Sequence, residues 1–258
     1  MLPLLRTALA VTALATALPA GALTPLPPMA RSLQAIVVVT DSWDATQGRL
    51  QAYERRSSDD TWRPHGPAFT VAVGREGSAW GVGRASLHNQ GPQKTEGDGR
   101  SPAGVFDIGP AFGYAPTIAS AMPYLPMTAS HYCMDVPASR YYNRIVDAAD
   151  VGTAAVEGST EPMRLDLHNK GDVRYREGFV IEHNSSRRPG KGSCIFAHLW
   201  RKPGEATAGC TAMEPRHMTA LLAWLKPDTR AVFVLLPKTE YDNLQGPWQL
   251  PALTGALR

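Results

Sequence analysis

The sequence of 258 residues is poor in the features that mark several large classes of protein. Its formal net charge is only +3, with 26 lysines and arginines scattered among 23 aspartates and glutamates. A nucleic-acid-binding protein concentrates its positive charge in a patch, so we expect no nucleic-acid partner. Beyond residue 22, no apolar run approaches the roughly 20 residues that cross a bilayer, which predicts no stable membrane insertion of the mature chain.

The motifs of metal and phosphate chemistry are missing as well. The sequence has no Cys-x-x-Cys or His-Glu-x-x-His spacing for zinc, no Gly-rich phosphate loop and no Gly-x-Ser-x-Gly elbow. A zinc site would have to be assembled from side chains without tight spacing, namely His183, His198, Cys194 and Cys210. That set stays an alternative, and we expect no metal ion and no other cofactor.

Residues 1–22 have the pattern of a secretory signal peptide. A short start with Arg6 precedes an Ala- and Leu-rich run from Thr7 to Leu18, and small residues follow. The pattern predicts an exported protein of the periplasm or cell envelope. Residues 23–32 are predicted to be a flexible lead-in, residues 33–237 one domain, and residues 238–258 a C-terminal tail without predicted structure.

Strand-like segments outnumber helical ones along this domain. Ala35–Thr40 and Ala231–Leu236 are continuous apolar runs, typical of buried strands. Helical spacing follows Pro215, and a second short helix is predicted within Asp147–Ala155. Further strands are predicted at Gly48–Arg55, Thr61–Arg63, Ala68–Gly74, Val105–Ile108, Phe179–His183 and Cys194–Leu199, with residues 74–104 and 109–145 largely irregular. The fold is therefore predicted to be mainly β.

One stretch combines a thiol with histidines. His198 lies at the end of a predicted strand, and Cys210 follows twelve residues later, directly after Gly209. A thiol needs a base or a lowered pKa to attack at neutral pH, and His198 is placed to take its proton. His183, on the preceding predicted strand, is the alternative base. The stretch therefore predicts cysteine nucleophilic catalysis.

Three blocks of the chain carry a resemblance to a known family. They are the Gly-rich stretch Lys94–Phe106, the pair of segments Cys133–Asp135 and Ser139–Asn143, and His198 followed by Thr207-Ala208-Gly209-Cys210. In this order they resemble the L,D-transpeptidases, the cysteine enzymes that cross-link bacterial peptidoglycan. The chain departs from the family pattern at two positions, with Ala208 in place of a second His and Ala212 in place of Asn or Arg.

The resemblance implies a β-sandwich of mixed sheets with one or two short helices. It implies that Cys210 is the nucleophile, that His198 is the base, held by a backbone carbonyl, and that Thr207 and Gly209 shape the loop or an oxyanion site. The implied partners are peptidoglycan stem peptides, and no cofactor is needed. Two other functions stay open: a carboxypeptidase or amidase that uses the same Cys-His pair, and a non-catalytic wall-binding module.

Several further residues are predicted with alternatives. Trp200 and Arg201 lie between base and nucleophile, and Asp98 lies in a polar loop that would border the groove; each either contacts substrate or lies in solvent. If Cys210 stays free, Cys133 and Cys194 remain as a pair that an oxidising compartment allows to bridge. The alternative is two separate buried thiols.

Overall fold

A computed structural model describes residues 26–85 and 90–255 of the chain. The predicted signal peptide, residues 1–22, lies outside the described residues. Within them are thirteen strands, four α-helices and two 3-10 turns. The strands are β1 (Gln34–Thr40), β2 (Gln47–Glu54), β3 (Arg63–Ala72), β4 (Ser78–Trp80), β5 (Ser101–Gly113), β6 (Tyr124–Pro126), β7 (His131–Cys133), β8 (Ile145–Asp147), β9 (Glu161–Pro162), β10 (Glu177–Ile181), β11 (Phe196–Leu199), β12 (Thr211–Met213) and β13 (Val232–Pro237). The α-helices are α1 (Ala148–Val151), α2 (Leu165–His168), α3 (Pro215–Trp224) and α4 (Lys238–Trp248), and the 3-10 turns are Thr153–Val156 and Pro227–Thr229.

Two fully buried strands form the centre of the large sheet. Every residue of β1 and of β13 is buried, as their continuous apolar runs predict. The two strands pair in parallel, and β1 also pairs antiparallel with β2. Two parallel strands cannot be joined by a tight turn and need a long connection. Here the connection from β1 to β13 contains all the strands from β2 to β12. The mainly β fold predicted from the sequence is confirmed.

Strand β5 closes the sheet on itself. Its first half, Gly104–Asp107, pairs with β13, and its second half, Ile108–Gly113, pairs with β10. The hydrogen-bonded order β10-β11-β12-β3-β2-β1-β13-β5 therefore returns to β10, with the main core enclosed. The prediction of a short strand at Val105–Ile108 was wrong in length. Glycines and prolines interrupt the apolar pattern of β5, so its full extent depends on hydrogen bonds to the distant strands β13 and β10.

A small second sheet has the strand order β8-β7-β9. A disulfide between Cys133 in β7 and Cys194, just before β11, joins the two sheets, with Cα atoms 5.9 Å apart. A separate cluster of buried side chains fills the space beside this bridge, and it comprises Phe112, Met127, Cys133, Met163, Leu165, Tyr175, Cys194, Phe196 and Cys210. The predicted thiol nucleophile thus lies under the small sheet rather than in the main core.

Both ends of the described chain pack more closely than the sequence predicts. The predicted tail contains helix α4, in which Tyr241 is fully buried and Trp248 is 7% exposed, and both belong to the main core. Their spacing is helical, but Gly246 and Pro247 within the helix conceal it in the sequence. In the predicted flexible lead-in, Met29 is also fully buried, and its carbonyl accepts a hydrogen bond from Arg55. The fold therefore has more helix and a longer packed segment than predicted.

No helix of the described residues combines the length and the apolar character that crossing a membrane requires.

We predict that Tyr241→Ala destabilises the protein by about 3 kcal/mol or more, since it removes a fully buried ring and its hydrogen bond to the Pro251 carbonyl. Urea denaturation measures the change. Asn243→Ala, on the exposed face of the same helix, is the control and should change stability by less than about 0.5 kcal/mol. Equal effects of the two substitutions would show that α4 is not part of the cooperative core.

Candidate active site

Two neighbouring parallel strands bring the predicted nucleophile and base to one face of the sheet. Strand β11 pairs with β12 so that His198 lies opposite Ala212. Two residues earlier, Phe196 begins β11 and Cys210 directly precedes β12, and the Phe196 N–H donates to the Cys210 sulfur at 3.3 Å. Because side chains two residues apart on a strand share a face, the imidazole of His198 and the thiol of Cys210 project to the same side.

The thiol of Cys210 is buried and held in its protonated form. Its sulfur lies 3.6 Å from the carbonyl oxygen of Cys194, which accepts the thiol proton. Only 8% of Cys210 is exposed, and burial raises the pKa of the thiol to about 12, with a further contribution from the charge of Glu161. The resting protein therefore does not hold the activated thiolate that a cysteine nucleophile is expected to show.

The loop before Cys210 is fixed by its own side chains. The Thr207 hydroxyl donates to the Cys210 carbonyl at 2.6 Å and accepts the Gly209 N–H at 3.1 Å. The Ser101 hydroxyl donates to the same carbonyl at 3.2 Å. Gly209 has a φ of 151°, and a Cβ there would lie 3.0 Å from the Arg100 carbonyl oxygen, which explains the glycine. Thr207 and Gly209 thus shape the loop, and the Gly209 N–H is already occupied rather than free for an oxyanion.

His198 is a neutral imidazole with one nitrogen free. Its Nδ1 lies 2.8 Å from the Leu199 carbonyl oxygen. Since a carbonyl can only accept, Nδ1 carries the proton and Nε2 presents a lone pair. Burial lowers the pKa of His198 to about 4, and the ring packs edge-on against Tyr175 with centroids 5.3 Å apart. Among the described residues no hydrogen bond joins His198 to Cys210 in this resting arrangement.

His183, the alternative base, has both ring nitrogens bonded to the backbone. Its Nδ1 accepts the Val82 N–H at 3.3 Å, and its Nε2 donates to the Lys191 carbonyl at 2.8 Å. It lies beyond the end of β10, is 1% exposed, and has a pKa that burial lowers to about 4. Neither ring nitrogen of His183 therefore has a free lone pair. His183 could accept a thiol proton only by losing its hydrogen bond to Val82.

The disulfide positions the backbone that holds the thiol. Cys194 has a φ of 55°, in the left-handed region, and its N–H donates to the Asn143 side-chain oxygen at 2.9 Å. Its carbonyl is the one that faces the Cys210 sulfur. The bridge to Cys133 therefore fixes an unusual backbone conformation directly beside the thiol. Because Cys194 is bridged and His183 is bonded elsewhere, the alternative zinc set is not assembled, and no group of metal-holding side chains occurs among the described residues.

Glu161 and Tyr175 are neighbours of the candidate site that the sequence did not predict. Glu161 lies opposite Cys133 in the small sheet and accepts the Tyr175 hydroxyl proton. Burial raises the pKa of Glu161 to about 7 and that of Tyr175 well above its ordinary value. Each is an isolated residue in a segment without motif or periodicity, so no sequence signal marks them. They place an acid of near-neutral pKa within electrostatic range of Cys210.

A cavity of about 200 Å3 opens beside His198. Of the predicted substrate-binding residues only Arg201 lines it, where it forms an ion pair with Glu205. The Trp200 indole N–H is buried without a hydrogen-bond partner among the described residues, and Asp98 accepts from Lys94 Nζ at 2.6 Å inside its own loop. The walls of the cavity are formed by Arg75, Arg174, His198, Arg201, Glu205, Ala206, Thr207, Ala208 and Ala212.

The chain matches one family of known proteins over most of its described length. The family model of the L,D-transpeptidase catalytic domain, YkuD, matches residues 36–234. No curated protein and no solved structure matches the chain. The matched range spans β1 to β13 and contains Cys210, His198 and the loop between them. Since the match covers more than half of the sequence, the chain belongs to the L,D-transpeptidase catalytic domain family.

Proposed function

We propose that the protein is an exported L,D-transpeptidase that acts on peptidoglycan stem peptides through a thioester on Cys210. The observation that carries the proposal is the placement of Cys210 and His198 on one face of adjacent parallel strands, with the imidazole Nδ1 bonded to the Leu199 carbonyl. This bond leaves Nε2 as the acceptor beside a cavity that can hold part of a substrate. A nucleophile, a base and a carbonyl that orients the base together form the arrangement that thiol acyl transfer needs.

In the first step Cys210 Sγ attacks the carbonyl carbon of an L,D peptide bond. The thiol proton passes to His198 Nε2, an S–C bond forms, and the C–N bond breaks as His198 returns the proton to the departing D-amino acid. Because the thiol pKa is about 12 and the imidazole pKa about 4, a separate thiolate and imidazolium are unfavourable in the resting site. Proton transfer therefore accompanies attack, after donor binding has drawn the thiol away from the Cys194 carbonyl.

In the second step an amine of another stem peptide attacks the thioester. His198 takes the proton of the amine, a new C–N bond forms, and the proton returns to the Cys210 sulfur as the S–C bond breaks. Water in place of the amine would make the enzyme a carboxypeptidase. Whether the enzyme is a transpeptidase or a carboxypeptidase depends on whether the amine or water reaches the thioester.

Two features support a place in the cell envelope. Residues 1–22 have the pattern of a signal peptide. The disulfide between Cys133 and Cys194 is of the kind that persists in an oxidising compartment. Both features fit a protein that meets peptidoglycan after export.

Turnover tests the proposed nucleophile and base. With a tetrapeptide stem as donor and a free D-amino acid as acceptor, mass spectrometry should detect exchange of the terminal residue. Cys210→Ala should abolish exchange, and His198→Gln should lower its rate about 10²- to 10⁴-fold, as loss of a general base does. His217→Gln, on helix α3 and outside the cavity, is the matched control and should keep the wild-type rate. Exchange that survives in Cys210→Ala would exclude this mechanism, and loss of the terminal residue without exchange would make the enzyme a hydrolase.

The charge of Glu161 should influence the reactivity of the Cys210 thiol. Burial raises its pKa to about 7, so at pH 8 it is mostly ionised, and its negative charge opposes the Cys210 thiolate. Glu161→Gln keeps an oxygen for the Tyr175 hydroxyl but removes the charge. It should lower the pKa of Cys210 and raise the rate of iodoacetamide alkylation at pH 8 roughly three- to tenfold.

The same substitution has a defined effect on stability. The folded protein binds the proton of Glu161 more tightly than the unfolded chain does. The free energy of unfolding of the wild type should therefore decrease as the pH rises from about 4.5 through about 7. Glu161→Gln should reduce this decrease. Glu157→Gln, at an exposed position nearby in the sequence, is the control. Identical pH profiles for the wild type and Glu161→Gln, in both alkylation and denaturation, would show that Glu161 carries no influence on the thiol.

A further inference from the structure

The cavity beside His198 carries more positive charge than the two acyl-transfer steps require. Three arginines from three separate segments line it: Arg75 follows β3, Arg174 precedes β10, and Arg201 follows β11. Glu205 is the single carboxylate in its wall. Ala206, Ala208 and Ala212 contribute only methyl groups, and the charged side chains of the wall are the three arginines and Glu205. Such a cavity is suited to an anion.

Two of these three arginines are already neutralised. Arg201 is paired with Glu205, with Nε 2.9 Å from a carboxylate oxygen. The guanidinium of Arg174 lies 2.8 Å from the Asp172 carboxylate, whose side chain is only 5% exposed. The Arg75 side chain is exposed and has no ion pair or hydrogen bond among the residues that the structure describes. Of the three arginines that line the cavity, Arg75 is therefore the one whose side chain is left without a partner among the described residues.

The backbone of Arg75 is fixed against the loop that carries the nucleophile. The Arg75 N–H donates to the Thr207 carbonyl at 2.8 Å, and the Thr207 N–H donates to the Val73 carbonyl at 2.8 Å. The Thr207 hydroxyl in turn donates to the carbonyl of Cys210. These bonds fix the Arg75 backbone beside the loop that carries Cys210, and the Arg75 side chain lines the cavity. An arginine placed in this way presents a planar pair of donors to a carboxylate.

We propose that Arg75 is the specificity-determining residue that binds the free α-carboxylate of the amino acid released from the acyl donor. This inference rests on the proposed function, since it assigns the cavity to the leaving residue of the Cys210 reaction. A cavity of about 150 Å3 can hold benzene, so one of about 200 Å3 fits a single small residue. A donor whose terminal carboxylate is converted to an amide loses the charge-assisted contact to Arg75.

Binding to a variant that cannot react tests this without any turnover. In the full chain carrying Cys210→Ala, isothermal titration calorimetry compares a tetrapeptide stem that ends in D-alanine with the same peptide ending in D-alanine amide. The free acid should bind about tenfold more tightly or better, as expected for a hydrogen bond to a charged group. This preference should shrink with added salt.

The preference for the free acid should vanish when Arg75→Gln is combined with Cys210→Ala, and Arg75→Lys should retain part of it. Arg56→Gln, an exposed arginine outside the cavity, should leave it unchanged.

The outcomes separate this inference from the proposed function. Equal binding of acid and amide, a preference that survives Arg75→Gln, or no binding of the acid at millimolar concentration would each overturn the role of Arg75. None of these results depends on whether the wild-type protein exchanges terminal residues. A preference that Arg75→Gln removes would support the carboxylate site even if the transferred group proved to be different.

Discussion

The parallel pairing of β11 with β12 is the constraint on which the site depends. Two parallel neighbours cannot be joined by a tight turn, so the chain must leave the sheet between His198 and Cys210 and return in the same direction. The connection that results carries Arg201, Glu205 and Thr207, and it forms one wall of the cavity. The spacing of twelve residues between His198 and Cys210 is thus a consequence of the sheet topology, and the cavity is a product of the same crossover.

Burial determines the resting state of this site. The thiol lies under a small sheet attached by the Cys133–Cys194 bridge, among apolar side chains and near the Glu161 carboxyl. All three surroundings favour a protonated sulfur, and the same burial keeps His198 neutral. The protein therefore holds a protonated thiol and an unprotonated imidazole. The proposed reaction therefore relies on the donor, which brings a carbonyl to the sulfur and excludes water from the two side chains.

The sequence reveals those parts of the protein whose signals are local. Apolar runs predicted β1 and β13, helical spacing predicted α3, and the order of motifs identified the family. The parts that it did not reveal depend on distant partners. Strand β5 is long because β13 and β10 pair with its two halves, and α4 is a helix despite Gly246 and Pro247 because its apolar side chains are buried in the core. Glu161 and Arg75 gain their significance only from what the fold places beside them.

The most direct test of the account is to trap the covalent intermediate. The purified protein is incubated with a tetrapeptide donor without an amine acceptor, quenched in acid, and measured by intact-protein and peptide mass spectrometry. The account predicts an adduct on Cys210 with the mass of the donor acyl group, lacking the terminal D-amino acid, and no adduct in Cys210→Ala. An adduct on another residue, or release of the terminal residue by the Cys210→Ala variant, would contradict it.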